Sequence, residues 1–395
     1  MESVLQLLGG RTAEDFLAHY WQQQPLLIRQ ALPGFRSPIS ADELAGLACE
    51  AEVESRLILE KDGPTAWSVE HGPIEETRFS ALPPSHWTLL VQECNRYVPE
   101  LAELLDRFNF IPNWRVDDVM VSYAPDQGSV GPHIDQYDVF LIQGLGSRRW
   151  QISTEPVAED NFLSDVELCI MREFNPSQEW LLQPGDMLYL PPGVAHYGVA
   201  QEDCITLSVG FRAPSHSDLL AGYVDHVLAT LPQTQRYTDP GLQRQQHPGE
   251  IAAEALAQVR NIIRSSLSDD RDLDNWFGQY ITEPKAGPAQ AEFDEEIGPN
   301  LSSEQFLQLY EKHQLLLRSE AARFAYIQQQ NDTILYIDGQ RFALNDGIAF
   351  AAPLLCDQRH YHYEQLHQAL RIPAFANFLT DLYNQSYVFL AEADE

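Results

Sequence analysis

The sequence predicts a mainly β first half closed into a sandwich or barrel, then an all-α stretch, then an α+β winged-helix-like last part. Three observations predict it. Short β-rich runs punctuated by Gly and Pro fill the chain up to about Pro214, apolar residues then recur at three- and four-residue steps to about Leu273, and the last hundred residues mix helical patterns with an Asp-Gly hairpin.

In the first part the runs are Asp118–Tyr123, Val139–Gln143, Arg149–Ile152, Met187–Leu190 and Cys204–Phe211. Between them lie APDQGSVG (124–131), GLGS (144–147), QPGD (183–186) and PPG (191–193). Many short strands with such turns argue against a parallel α/β sheet, whose strands alternate with helices. The helical part holds an amphipathic run that follows His216-Ser217-Asp218 and ends at Leu231, and a second one at 252–267. Residues 283–300, rich in Pro, Gly and acids, read as a linker. Ser302-Ser303-Glu304 is a helix start before Phe306–Leu317. Thr333–Ile337 and Gln340–Leu344 flank Asp338-Gly339, a two-residue hairpin turn, and a helix at Phe375–Tyr383 and a strand at Tyr387–Leu390 follow.

The chain has 395 residues, with 25 basic and 58 acidic side chains, a formal charge of −33. Its 44% apolar content supports real cores, so the acidity does not signal disorder. A surface this negative repels phosphate backbones and favours a cationic partner, which excludes general nucleic-acid binding. The acidic, Gln-rich helices of the last part likewise lack the basic stripe of a DNA reader. Five cysteines without a CxxC pair argue against a disulfide framework and a cysteine-rich zinc site. With no basic, apolar leader and no run of 18 apolar residues, the expectation is a soluble protein of a reducing compartment, the cytosol.

The most informative segment is Gly131-Pro132-His133-Ile134-Asp135-Gln136-Tyr137-Asp138. On a strand, residues i and i+2 share a face, so His133 and Asp135 present an imidazole and a carboxylate to one point. A lone His-x-Asp is ordinarily a satisfied surface or core pair. Here Pro191-Pro192-Gly193 leads to His196, 61 residues after Asp135, as a third ligand. Two histidines and a carboxylate on one side of a metal form the facial triad of non-haem Fe(II) oxygenases. Three ligands plus a water also describe catalytic zinc, so the triad alone leaves the metal open. Arg148, 15 residues after His133, bears on that choice. A fixed guanidinium clamps a carboxylate through two parallel bonds, as the far end of a dicarboxylate oxo-acid requires. Neighbouring Arg149 points to the opposite face, so only one of the two serves.

These motifs, with Gln143-Gly144, Ser208-Val209-Gly210-Phe211-Arg212 and the early Phe16, Tyr20-Trp21 and Pro25-Leu26-Leu27-Ile28-Arg29, resemble the JmjC/cupin-type Fe(II)- and 2-oxoglutarate-dependent oxygenases, and within them the bacterial ribosomal oxygenases. The resemblance is strong over the first 212 residues and looser beyond. It implies a double-stranded β-helix (cupin/JmjC jelly roll) catalytic domain at 1–212, a helical dimerisation region at 213–285 and a winged-helix-like domain at 286–395. It further implies Fe(II) held by His133, Asp135 and His196, with 2-oxoglutarate gripped by Arg148 and O2 as cosubstrate. The implied product is an arginine of large-subunit ribosomal protein L-sixteen hydroxylated at Cβ. In the bacterial members arginine is the 2-oxoglutarate clamp, and Arg148 fits that pattern.

On the run Asp118–Tyr123, residues 118, 120 and 122 share one face, so Asp118, Met120 and Ser122 line the interior together. Asp118 and Tyr137 are candidates to receive the guanidinium, and Met120, Ser122 and Ser208 to contact the cosubstrate. Asp118 reads equally as a strand-start carboxylate in solvent. Glu155, Glu159, Asp160 and Asp165 read as a solvated face that helps steer a basic partner; the window 151–200 holds 8 acids against one base. His360-Tyr361-His362 with His367 lacks a matching carboxylate or thiol and is not taken as a metal site. Two other readings remain: a hydroxylase or demethylase acting on another residue of a basic protein, and a non-catalytic cupin that only binds one. A homodimer through the helical region is expected, membrane and DNA are not.

Overall fold

The computed structural model describes residues 4–60, 67–158, 160–164, 166–285, 300–329 and 332–391. Most of the linker expected at 283–300, together with Glu159 and Asp165, lies outside the described residues. The chain divides into two compact units, one of residues 1–213 with 285–300, the other of residues 214–284 with 301–395.

The first unit is an antiparallel double-stranded β-helix. Its strands, among the described residues, are β1 (Leu26–Ile28), β2 (Ser55–Glu60), β3 (Trp67–His71), β4 (Trp87–Val91), β5 (Val116–Ala124), β6 (Asp138–Leu145), β7 (Arg148–Ser153), β8 (Gln178–Leu182), β9 (Met187–Leu190), β10 (Ala195–Ala200) and β11 (Cys204–Phe211). The large sheet runs β1-β9-β6-β11-β5-β4-β2-β3 and the small one β10-β7-β8.

Alternation along the strands builds two apolar layers. Val139 and Leu141 of β6 meet Trp150 and Ile152 of β7 and Leu182 of β8 between the sheets. Phe140 and Ile142 point the other way, into a layer where early helices supply Phe16 and Leu44 and the segment before β5 supplies Phe108. Ring centroids there lie 4.8 Å apart for Phe140 and Tyr189 and 4.9 Å for Phe108 and Phe140. Each fully buried aromatic of this kind contributes ~2 kcal/mol. In β5, Val119 and Val121 enter that same layer, which turns Asp118, Met120 and Ser122 into the space between the sheets.

One expectation differs locally. Residues 131–137 are not a continuous strand; His133 makes an isolated antiparallel bridge to His196, and regular pairing begins at Asp138. Two left-handed-capable turns, Pro132's neighbour Gly131 (φ 81°) and the Gly193 turn (φ 80°), bend both segments away from ladder geometry.

In the second unit, helices His216–Thr230, Ala253–Ser266 and Asp270–Thr282 precede the helix Ser303–His313. Capping boxes at Ser215 and Ser302 fix two of these starts. The helix expected over Phe306–Leu317 ends at His313, because Gln314 takes a left-handed conformation (φ 64°) and Leu315–Arg318 becomes a strand between His360–His362 and Val388–Leu390. Leu316 is the residue of that run buried in the core. A separate sheet of Phe324–Gln329, Asp332–Ile337 and Gln340–Leu344 carries the Asp338-Gly339 turn. With Pro373–Asn384 packed on Ser303–His313, these elements form the winged-helix part. Among the described residues, no helix is long and apolar enough to cross a membrane.

Candidate active site

The bridge between residues 133 and 196 builds the centre of the site. His133 N–H donates to the His196 carbonyl at 3.0 Å and His196 N–H donates back at 2.9 Å. This paired contact holds the two imidazoles side by side, with ring centroids 4.2 Å apart and planes tilted by 59°. In both rings Nδ1 donates to a carbonyl two residues earlier, Gly131 at 2.9 Å and Val194 at 3.0 Å. That bond fixes the tautomer and leaves each Nε2 lone pair for a ligand. Asp135 lies two residues beyond the bridge, and its Oδ2 sits 3.6 Å from His196 Nε2. Its backbone is anchored by Gly193 N–H, which donates to the Asp135 carbonyl at 2.8 Å.

One donor atom from each of His133, Asp135 and His196 falls within 4.8 Å of the other two, and no other such group occurs among the described residues. Burial holds His196 below the usual histidine range, and nearby His133 adds to the effect while Asp135 opposes it. The result is a neutral imidazole, the form that binds metal. Two imidazole nitrogens and a carboxylate on one side, with a cavity on the other, fit a divalent metal that keeps open positions. His360 and His362, by contrast, are exposed on either side of buried Tyr361.

The cavity encloses about 510 Å³ between the sheets. Arg148 is its buried cation, 2% exposed. Its Nη2 donates to the Gly198 carbonyl at 3.1 Å, and its guanidinium lies 5.1 Å from the centroid of the Trp150 ring. Arg148 Nε and Trp150 Nε1 are buried donors without a hydrogen-bond partner among the described residues. Such donors cost about 1–3 kcal/mol each when left unmet, so a carboxylate entering this space is well received. Burial lowers the Arg148 pKa from its ordinary value, but a guanidinium stays charged. Arg149 faces outward and donates to Gln201 at 2.7 Å. The cavity is also lined by Met120 and Ser122 of β5 and by Thr206 and Ser208 of β11, paired as Ser208 with Met120 and Thr206 with Ser122.

At the other end the cavity is acidic. Asp118 is 5% exposed and accepts from the Glu93 backbone N–H at 3.0 Å. Oriented to satisfy both neighbours, the Gln92 amide donates to Asp118 at 3.1 Å and accepts from Arg56 at 2.8 Å. Burial pushes the Asp118 carboxyl upward, and the Lys285 ammonium opposes that shift. Tyr137 exposes 43% of its surface, yet burial of its hydroxyl and the charges of Asp135 and Asp118 raise its pKa.

Three further residues at or beside the cavity were not assigned a role from sequence. Trp150 was legible only as an aromatic of β7. Gly198, two positions past His196, leaves room for Arg148; a Cβ there would stand 2.7 Å from Arg148 Nε and from the Trp150 ring. A glycine inside a strand is the signal for such an approach. Lys285 reaches the acidic end from 100 residues and more beyond the other lining residues in β5, and nothing local announces it.

Comparison with known proteins places these features in context. Residues 103–219 match the JmjC domain family and residues 265–389 the ROXA-like winged helix family. The chain is 34% identical to ribosomal protein uL16 3-hydroxylase of Escherichia coli (strain K12) over 387 residues, 95% of this chain and 96% of that one. It is 36% identical over 283 residues to a probable ribosomal oxygenase of Haemophilus influenzae, covering 68% of each chain. The solved structure of the Escherichia coli ribosomal oxygenase YcfD with cobalt and 2-oxoglutarate superposes with a TM-score of 0.81 at 33% identity, over 95% of this chain and 97% of that one.

Proposed function

The chain belongs to the JmjC-domain ribosomal oxygenases, and from that premise we propose that it hydroxylates Cβ of an arginine in ribosomal protein uL16, using Fe(II), 2-oxoglutarate and O2. The observation that carries this reading is the meeting, in one cavity, of a two-histidine, one-carboxylate donor set, a buried arginine and a buried acid able to receive a cation.

His133, Asp135 and His196 would hold the iron. Bound there with its cosubstrate, Fe(II) supplies the oxidising chemistry, in which 2-oxoglutarate and O2 become succinate and CO2 and one oxygen enters a C–H bond of the substrate. The chain's own residues bind, orient and exclude water. Arg148, clamped to Gly198 and backed by Trp150, takes the far carboxylate of 2-oxoglutarate. Met120, Ser122 and Ser208 shape the space for its chain. Asp118 and Tyr137 receive the substrate guanidinium, whose charge suits a carboxylate kept from water.

A net charge of −33 draws a strongly basic ribosomal protein and discourages direct contact with DNA. This activity belongs in the cytoplasm, where ribosomal proteins are made. The helix Ala253–Ser266 buries none of its own side chains and exposes Leu256, Val259, Ile262 and Ile263. A second copy of this chain is the partner we assign to that face.

Incubation with Fe(II), 2-oxoglutarate and total ribosomal proteins, followed by peptide mass spectrometry, tests the reading. The expected product is one oxygen atom added to one uL16 arginine, abolished by His133→Ala or Asp135→Ala. Modification of a histidine, lysine or asparagine, loss of a methyl group, or no change with the iron-loaded protein would overturn it.

A further inference from the structure

The acidic end of the cavity already holds a cation. Lys285 Nζ lies 3.0 Å from Asp117 Oδ2 and 3.3 Å from Asp118 Oδ2. Its side chain is 30% exposed and that of Asp118 only 8%. Lys285, Asp117 and Asp118 all line the cavity that contains the donor set and Arg148. Burial works against the Lys285 ammonium, but the Asp118 and Asp117 carboxylates outweigh it and raise its pKa, so Lys285 stays charged. The carboxylate best placed to receive a substrate cation is therefore matched, in the resting protein, by an ammonium of the same chain.

We propose that Lys285 is a built-in competitor at the substrate end of the cavity, a tethered ammonium that occupies the Asp117 and Asp118 carboxylates until an incoming guanidinium displaces it. This inference rests on the function proposed above. An ammonium is a compact point charge, whereas a guanidinium presents five donors in a planar fork and bonds carboxylates in parallel pairs. A substrate lysine would exchange one ammonium for another and gain no bond, against a competitor whose tether gives it an effective concentration of order mM. A substrate arginine gains bonds in the exchange. Lys285 thus lowers the affinity for any cationic side chain by one common factor, and arginine, which gains bonds in the exchange, still binds. Its partial exposure lets the displaced ammonium return to water.

The test compares full-length wild type, Lys285→Gln and Lys285→Arg. Substrates are a uL16 peptide carrying the target arginine and the same peptide with lysine in its place. Calorimetric binding and steady-state kinetics are both read. For Lys285→Gln the arginine and lysine peptides should each bind about fivefold more tightly, with a matching fall in KM for the arginine peptide, because removing the competitor frees the site equally for both. Lys285→Arg, which installs a stronger internal competitor, should raise KM above wild type. The KM for 2-oxoglutarate should stay constant throughout. Arg149→Gln removes the same charge from the outer face and should leave the affinity for the arginine peptide unchanged, which separates displacement from a general field effect.

A Lys285→Gln protein that binds the arginine peptide no better, or more weakly, overturns the inference and makes Lys285 a support for Asp118. If wild type neither binds nor modifies the arginine peptide, the proposed function itself fails. If wild type turns it over and the variants behave alike, only the role of Lys285 fails.

Discussion

Arg148 and Asp186 illustrate two uses of a buried charge. Arg148 sits at 2% exposure with a bond to Gly198 and an aromatic ring beneath it, and part of its donor capacity is unspent. Arg148→Lys keeps the charge and loses the planar fork, so KM for 2-oxoglutarate should rise about 30-fold, the equivalent of ~2 kcal/mol for a charge-assisted bond. An unchanged KM would remove Arg148 from the cosubstrate site. Asp186 is structural. It accepts from the backbone N–H groups of Gln30 at 2.9 Å and Gln183 at 3.1 Å and from Arg29, tying β1 to the turn before β9. Burial raises its carboxyl, but these donors together outweigh it and hold the pKa below the ordinary 3.8. A depressed pKa contributes stability that is present above the unfolded value and lost as pH falls through the folded one. Asp186→Asn should therefore cost about 2 kcal/mol at neutral pH. Denaturant melts of wild type and variant should converge as the pH drops below 3.8, and curves that stayed parallel below that pH would refute the assignment.

At the scale of the element, β10 shows how one strand serves three purposes. His196 enters the donor set, Gly198 admits Arg148 and Trp150, and the register Gly198 to Trp150 and Ala200 to Arg148 fixes both against β7. Gly198→Ala should overpack this contact by about 1–3 kcal/mol, lowering the melting temperature and raising KM for 2-oxoglutarate together. A stable variant with normal cosubstrate affinity would contradict the packing argument. Strands such as β6 and β11 were legible because their apolar runs are bounded by Gly and Pro. The short edge strand β1 and the mixed pattern of β3, with its half-exposed residues, were not read as strands. Leu315–Leu317 was read as helix because three consecutive leucines satisfy either period, and only the pairing with 360–362 and 388–390 decides between them. The Gly131–Asp138 segment erred in the same way: spacing of two brought His133 and Asp135 together, but through a bridge and a turn instead of a strand.

For the whole molecule, the helix Ala253–Ser266 carries an unburied apolar stripe, with Leu256 at 43% exposure, Val259 at 44% and Ile263 at 56%. Spacings of three and four put these residues on one face. The double variant Val259→Asp, Ile263→Asp should sediment as a monomer where wild type sediments as a dimer, with the barrel's melting unchanged. Wild type that sediments as a monomer would sink the assignment. What the sequence by itself determined was composition and local order: the acidic charge, the strand runs, the helix caps, and the His-x-Asp spacing with a second histidine after a Pro-Pro-Gly turn. These are properties of neighbours along the chain, and short-range sterics and periodicity are enough to read them. Only the tertiary structure decided which atoms share a space. It turned Arg148 inward and Arg149 out, put Gly198 against a guanidinium, and set Lys285 on the carboxylates of Asp117 and Asp118. The physical reason is that such contacts are fixed by sheet register and closure, which sum weak preferences over many strands and leave no trace in any one of them.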